Sequence, residues 1–282
     1  MATRYAEAHK KPQGPLLPSR TPGGQLADKS IFITGTSSGI GVESAKALFT
    51  TGATLYLAAR NLEKAKQALG DLTRSPRVHL LELDLSSLDS VRACAAKLLS
   101  QIKTLNIFIA NAGVMATPEG RTQDGFETQF GTNHLGHFLF SNLIRSSLLA
   151  AATPQVNSRA VFLSSAAHRY PFQGLRAFSV HPGGIQTGLL QYMSEEKNAL
   201  SSDPVLGPQF KSPEQGAATS VWGIISKSLE GMVGKYLEDI QIAKAYDASE
   251  GQCAPGYLPY AYSSEKEAGL WELSLGLVGL EN

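Results

Sequence analysis

The sequence predicts a single α/β domain built on a doubly wound parallel sheet. Short apolar runs rich in β-branched residues alternate with longer stretches of helical period, the pattern of repeated βαβ units. At 282 residues, with 43% hydrophobic and 17% charged residues, the chain has the size and composition of one globular domain. It contains no internal repeat, and only residues 1–28 and 191–211 read as long loops.

The elements follow in order. Lys29 to Thr34 is the first strand, and Ile40 to Thr51 a helix stopped by Gly52. Thr54 to Ala59 is the second strand, followed by a short helix with Asn61 as its N-cap. Val78 to Leu85 is the third strand. Ser87 caps a helix from Leu88 to Ile102, whose Val91, Ala95, Leu98, Leu99 and Ile102 share one face. Asn106 to Ala110 makes the fourth strand, a long helix runs from about Gln123 to Ala151, and Arg159 to Leu163 is the fifth strand. Arg176 to Val180 is the sixth. Ser212-Pro213-Glu214-Gln215 has the residues of a capping box, with Pro at the first helical position, ahead of an apolar stripe through Ala217, Val221, Ile224 and Ile225. Lys235 to Leu237 is read as an edge strand, and Glu265 to Leu280 as a closing helix with Trp271 turned inward.

Composition narrows the partners. A formal net charge of +1 without a basic run argues against nucleic acid or an acidic membrane surface, leaving a small molecule as the expected partner. Cys94 and Cys253 are too far apart in sequence and too few for a disulfide framework or a cysteine zinc site, so both are read as buried thiols in a reducing, cytoplasmic setting. Residues 1–28 hold Lys10-Lys11, Pro12, Pro15, Pro18, Pro22 and Gly23-Gly24 but no apolar segment, the mark of a flexible arm rather than a signal peptide or anchor. Residues 29–282 form the domain. His134 and His137, three apart without a third ligand, are read as packing or polar contacts, and no metal site is expected.

The chemistry starts where the first strand runs into Thr34-Gly35-Thr36-Ser37-Ser38-Gly39-Ile40-Gly41 and then a helix. Strand, glycine turn and helix N-terminus together make a dinucleotide-phosphate site: glycines let the backbone approach a pyrophosphate, and free amides with the helix dipole attract its charge. At the end of the second strand, an acid would bond a ribose 2′-hydroxyl and a cation would neutralise a 2′-phosphate. Arg60 stands there, with Lys64 one turn on, which favours NADP over NAD.

The spacing Gly35-xxx-Gly39-x-Gly41 resembles that of the short-chain dehydrogenase/reductase family, and further matches come in the family's order. Asp84 resembles its adenine-contacting acid. Asn111-Ala112-Gly113 resembles its turn after the fourth strand, and Asn133 its fourth-helix Asn. Ser165 in Leu163-Ser164-Ser165 resembles the catalytic Ser, and Pro182-Gly183-Gly184-Ile185-Gln186-Thr187 the loop that holds the nicotinamide. The wording around His168-Arg169 and Val180-His181 is similar to the retinol-dehydrogenase-like branch, especially its fungal members. The resemblance implies a Rossmann fold and an NADP-dependent oxidoreductase interconverting a carbonyl and an alcohol on a small apolar or polyketide-like substrate, as in secondary metabolism. It implies that Gly35, Ser37, Ser38, Gly39, Ile40, Gly41, Arg60, Asp84, Asn111, Gly113, Pro182, Gly183, Ile185 and Thr187 hold the cofactor. Asn133 would hold a relay water, Ser165 the substrate oxygen, and residues 191–211 the substrate lid.

One part of the pattern is missing. The family places a Tyr-xxx-Lys pair on the helix between strands five and six, the Tyr passing the proton and the Lys lowering its pKa. Between Ser165 and Leu175 lie only Ala166 to Gly174, without a Lys. About eleven residues reach at most about 36 Å when extended, enough to return along a short strand but not to lay a helix over the sheet. One sheet face would lose cover, and the helix pair through which the family dimerises would be incomplete, which makes oligomerisation doubtful. Tyr170 is a weak substitute donor, because Pro171 discourages the helix that would aim it. Tyr262-Ser263-Ser264-Glu265-Lys266 lies at the wrong place in the chain and is a decoy. Two readings follow: an enzyme by descent, or a catalytically inactive NADP-binding protein or truncated or mis-spliced product lacking the active-site helix.

Overall fold

In the computed structural model, residues 26–153, 157–163, 175–192, 210–247, 256–257 and 262–281, with 202, 207 and 249, are described. Most of the arm at 1–28 and of the lid at 191–211 lies outside them, as do Ser165, His168, Tyr170 and Cys253.

The strands are β1 Ser30–Thr34, β2 Thr54–Ala59, β3 Val78–Glu82, β4 Ile107–Ala110, β5 Ser158–Leu163, β6 Leu175–His181, β7 Lys235–Glu238 and β8 Gln241–Ile242. They form one sheet in the order β3-β2-β1-β4-β5-β6-β7-β8, parallel throughout except for the β7–β8 hairpin. The chain order reverses beside β1, and in open parallel sheets a ligand binds in the crevice at such a switch point, outside the carboxyl ends of the strands.

The helices are α1 Gly39–Phe49, α2 Leu62–Leu69, α3 Leu88–Gln101, α4 Gly136–Leu143, α5 Arg145–Ala151, α6 Pro213–Ile225 and α7 Ser264–Val278. Three starts are written in the sequence: Asn61, Ser87 and Ser212 accept from Lys64, Ser90 and Gln215 amides, and Gln215 Oε1 accepts from the Ser212 amide. Period-two alternation divides the strands between two cores. Phe32, Tyr56, Phe108 and Phe162 face α3, α4 and α7, while Ile31, Ile33, Leu57, Ile109, Val161 and Phe178 face α1, α2 and α6. Phe32 stacks on Phe140 at 4.6 Å, and Trp271 meets Phe138 edge-on at 5.1 Å, so Trp271 does turn inward. The Cys94 thiol is buried in the first core, which pushes its pKa up to about 12.

Three expectations need correction. The long helix from Gln123 does not form at its start. Gly125 takes φ 85°, the Arg121–Glu127 bridge closes a turn around it, and the helical stretch begins only at Thr128, passing at once into a π-turn at Phe130–Leu135 before α4. β7 is not an edge strand, because the two-residue β8 pairs on its outer side. The hairpin puts both Asp239 (φ 49°) and Ile240 (φ 61°) in left-handed backbone, a geometry a β-branched residue resists and no sequence pattern announces. Finally, the described residues on the face served by the β5–β6 connection are not exposed. Phe162, Ser179, Tyr236 and Glu238 are buried, and the C-terminal stretch contributes cover through Tyr262 Oη on Tyr236 N and Gly256 N on Glu238 Oε2. No helix among the described residues is long and apolar enough to cross a membrane.

Candidate functional site

The site begins where β1 ends. Gly35 takes φ 74°, and a Cβ there would stand 2.7 Å from Ala112 Cα, so only glycine lets this loop lie against the turn after β4. The amides of Gly35 and Thr36 are spent on the Ala58 carbonyl, at 2.8 and 3.2 Å. The first amides of α1 have no acceptor within the helix. Ser38, the N-cap, is extended and makes no side-chain cap, and the first turn of α1 carries no acid. Ser37, Ser38, Gly39 and Ile40 therefore present donors and positive helix-end potential to the crevice, the cradle expected for a diphosphate.

Beside that cradle stands the turn after β4. Asn111 Nδ2 donates to the carbonyls of Thr34 (2.8 Å) and Gly35 (3.3 Å), while the amides of Asn111 and Ala112 both donate to Thr34 Oγ1 at 2.9 Å. A Cβ on Gly41 would fall 2.2 Å from Gly35 O and 2.6 Å from Asn111 Nδ2, which is why α1 starts on a glycine pair. Gly113 faces Asn133, whose side chain is pinned both ways to Val114: Val114 N donates to Oδ1 and Nδ2 donates to Val114 O, each at 2.8 Å. In the next turn His137, fully buried, contacts both Asn133 O and Thr34 Oγ1.

Burial pulls the His137 pKa down from 6.5 to about 4, with the Asn133 bond opposing the shift in part. The folded state therefore binds fewer protons than the unfolded chain between those values, and stability contributed by this group is present above pH 6.5 and lost as pH falls. The expected loss between pH 6.5 and 4 is about 3 kcal/mol from this one group. It is read as the difference in urea-unfolding free energy between wild type and His137→Gln across that range; identical pH slopes would refute it.

The other cofactor candidates surround this centre. Asp84 Oδ1 is held by Ser86 N (2.9 Å) and Ser86 Oγ (2.7 Å), which fixes the carboxylate at the end of β3. Arg60 directly follows β2 and is exposed, as is Lys64 in the first turn of α2. From the far side, the loop after β6 closes on α1: a Cβ on Gly39 would lie 3.0 Å from Thr187 Cγ2, and one on Gly188 3.8 Å from Ser38 Oγ. Ile185 is buried against Gly216 of α6, which anchors that loop, and Gly183 takes φ 95° over Lys211. The structure thus brings Gly35, Gly39, Gly41, Asn111, Gly113, Asn133 and Thr187 into one crevice. Ser165 and Tyr170 fall outside the described residues. Tyr262 sits instead at the entry to α7 with its hydroxyl on Tyr236 N, and burial raises its pKa, the reverse of what a proton-transferring Tyr needs.

Two residues central to this arrangement were given no role by the sequence, Thr34, which only opens the glycine motif, and His137. The signal for Thr34 is a hydroxyl closing an otherwise apolar strand. For His137 it is an imidazole on the buried face of α4, four residues after Asn133. His134 also has a partner, Ser274 Oγ of α7 at 2.8 Å, and it stacks on Phe130.

The profile described as short chain dehydrogenase matches residues 29–196. The short-chain dehydrogenase/reductase prx1 of Penicillium roqueforti is 38% identical over 294 aligned positions, covering 90% of this chain and 86% of that protein. Human retinol dehydrogenase 13 is 33% identical over 302 positions, covering 91% and 86%. Among solved structures, the Pseudomonas aeruginosa RhlG/NADP complex superposes with a TM-score of 0.64 at 21% identity, covering 78% of this chain and 97% of that one. In the alignment with prx1, 90% of this chain is about 254 residues set over 294 positions, so about 40 positions of the relative have no counterpart here.

Proposed function

The chain belongs to the short-chain dehydrogenase/reductase family, in its retinol-dehydrogenase-like branch, and from that premise we propose that this oxidoreductase takes NADP(H) and acts on a carbonyl or alcohol of a small apolar or polyketide-like molecule. Family membership carries a nicotinamide dinucleotide cofactor; the choice of NADP is the finer step. The observation that supports it is Arg60, exposed at the carboxyl end of β2 where an acid would serve NAD, with Lys64 beside it.

The residues fit such a group. The glycine approach of Gly35 to Ala112, the donor-rich start of α1 without an acid, and the contact of Thr187 with Gly39 leave a crevice floored by backbone and rimmed by small side chains. Ser37, Ser38, Gly39 and Ile40 would hold the diphosphate, Asp84 the adenine, Arg60 the 2′-phosphate, and the Pro182 to Thr187 loop the nicotinamide. When bound, the cofactor supplies or accepts a hydride. Asn133, with its side chain pinned to Val114, keeps its backbone at one place in the π-turn, where its carbonyl can hold a water for proton delivery. Ser165 would support the substrate oxygen. A fungal biosynthetic setting is supported by the likeness to the Penicillium proteins, and residues 191–211 are the candidate lid.

The second reading, a dinucleotide binder without turnover, is favoured by the surplus of about 40 positions in the relative, set against the eleven residues that join β5 to β6 here. Calorimetry with NADPH and NADH on the purified chain tests the cofactor assignment. Arg60→Ala is expected to weaken NADPH about tenfold or more while leaving NADH nearly unchanged, the loss of one charge-assisted contact to phosphate. Equal losses for the two nucleotides would sink the NADP assignment.

A further inference from the structure

Three segments that each carry part of the candidate site meet at one buried imidazole. His137 Nδ1 lies 3.0 Å from the Asn133 carbonyl oxygen, and because a carbonyl only accepts, Nδ1 bears the proton. In the neutral ring Nε2 is then the acceptor, and Thr34 Oγ1, 2.9 Å away, donates to it. The rival acceptor for that hydroxyl hydrogen, Ile109 O, is farther off at 3.5 Å. The same Thr34 oxygen accepts the amides of Asn111 and Ala112. A directed chain therefore runs from the turn after β4, through Thr34 and His137, to the main-chain carbonyl of the π-turn. Two of its links, Thr34 to Asn111 and Thr34 to His137, join residues far apart in sequence, and every link is buried or half-buried.

We propose that His137 is a positioning residue: its single Nδ1–H tautomer ties the Asn133 carbonyl to the Asn111–Ala112 turn and so holds the dinucleotide crevice and the proton-relay position in one frame. The role rests on the dinucleotide reading above. It also explains why the ring sits between an acceptor on one side and a hydroxyl donor on the other, which a protonated imidazole could not satisfy, since its Nε2–H would be aimed at the Thr34 oxygen already receiving two amides.

Gln at this position offers one donor and one acceptor at similar reach, whereas Leu fills the volume and offers neither. Calorimetric titration with NADPH is expected to show His137→Leu weakened about tenfold or more and His137→Gln within about threefold of wild type, the cost of stranding buried polar groups against that of replacing them. Thr34→Val is expected to weaken binding comparably, and the double variant Thr34→Val/His137→Leu to lose little more than either single change, because both break one link. Imidazole nitrogen shifts by NMR should show the Nδ1–H form with and without NADPH. Wild type that binds while His137→Leu binds equally well, or His137→Gln and His137→Leu that fall together, overturns the positioning role alone; so does an Nε2–H tautomer. Wild type that binds neither NADPH nor NADH overturns the dinucleotide reading and the proposal with it.

Discussion

Inserting the β5–β6 crossover of the Penicillium roqueforti relative between Leu163 and Leu175 is expected to raise carbonyl reduction by about two to four orders of magnitude, the usual worth of a positioned acid. The affinity for NADPH should change little, because the cradle at α1, the Asn111 turn and the loop after β6 lie outside the insertion. The reason is dimensional. Ser158 pairs with Leu175 and Leu163 with Val180, so the connection has to return along the whole of β5. A six-residue strand spans about 20 Å. Eleven extended residues cover about 36 Å and manage the return. A helix rises only about 1.5 Å per residue, so a helical return of that length takes about 13 residues before any turn is counted. The length therefore suffices to pair β5 with β6, and Ala166 to Gly174 contains no Lys. Loss of NADPH absorbance with a panel of apolar ketones and aldehydes is the readout, with the unmodified chain beside the insertion variant. Equal rates for the two would mean that the chain already owns a donor and that the missing-acid account is wrong.

Gly41→Ala is expected to abolish nucleotide binding, with NADPH affinity falling at least about a hundredfold, as overpacking against fixed backbone costs about 1–3 kcal/mol or more. The added methyl would stand 2.2 Å from Gly35 O, which is backbone, and 2.6 Å from Asn111 Nδ2, a side-chain end tied to the Thr34 and Gly35 carbonyls. To relieve the clash the α1 start must move away from the glycine loop, which removes both the amide cradle and the Asn111 bonds to Thr34 and Gly35. Gly276, with nothing near its Cβ direction, is the control: Gly276→Ala should bind NADPH as wild type does. Calorimetry on the two variants decides it, and Gly41→Ala with undiminished affinity would show that the loop yields where it is read here as rigid.

Much of the first half of the fold was legible because local signals and tertiary demand agree there. Asn61 and Ser87 cap the helices they precede, Gly52 takes the left-handed turn after α1, and the alternating apolar residues of β1 and β2 divide between two cores as a sheet covered on both faces requires. The motif residues also lie together, Gly35 against Ala112, Gly41 against Asn111 and Gly39 against Thr187. What escaped was set by contacts across long stretches of chain. β8 is two residues long and exists because β7 offers it a partner, and its turn costs Ile240 an unfavourable backbone angle. The π-turn replaced the start of a helix that apolar period alone extended back to Gln123. The link between Thr34 and His137 joins residues 103 positions apart and has no local trace at all.

The π-turn at Phe130–Leu135 sets a limit on how this stretch can drift in evolution. Wider winding there is equivalent to one residue inserted into an α-helix, and each helical residue turns the chain by about 100°. Deleting a single residue between Phe130 and Leu135 would let the segment tighten into ordinary helix and rotate one side against the other. Either Phe126 and Phe130 would leave the first core or His137 would leave Thr34. Side chains along this stretch can therefore be exchanged one at a time, while its length cannot: lineages that keep the crevice are bound to a fixed residue count between Phe126 and His137.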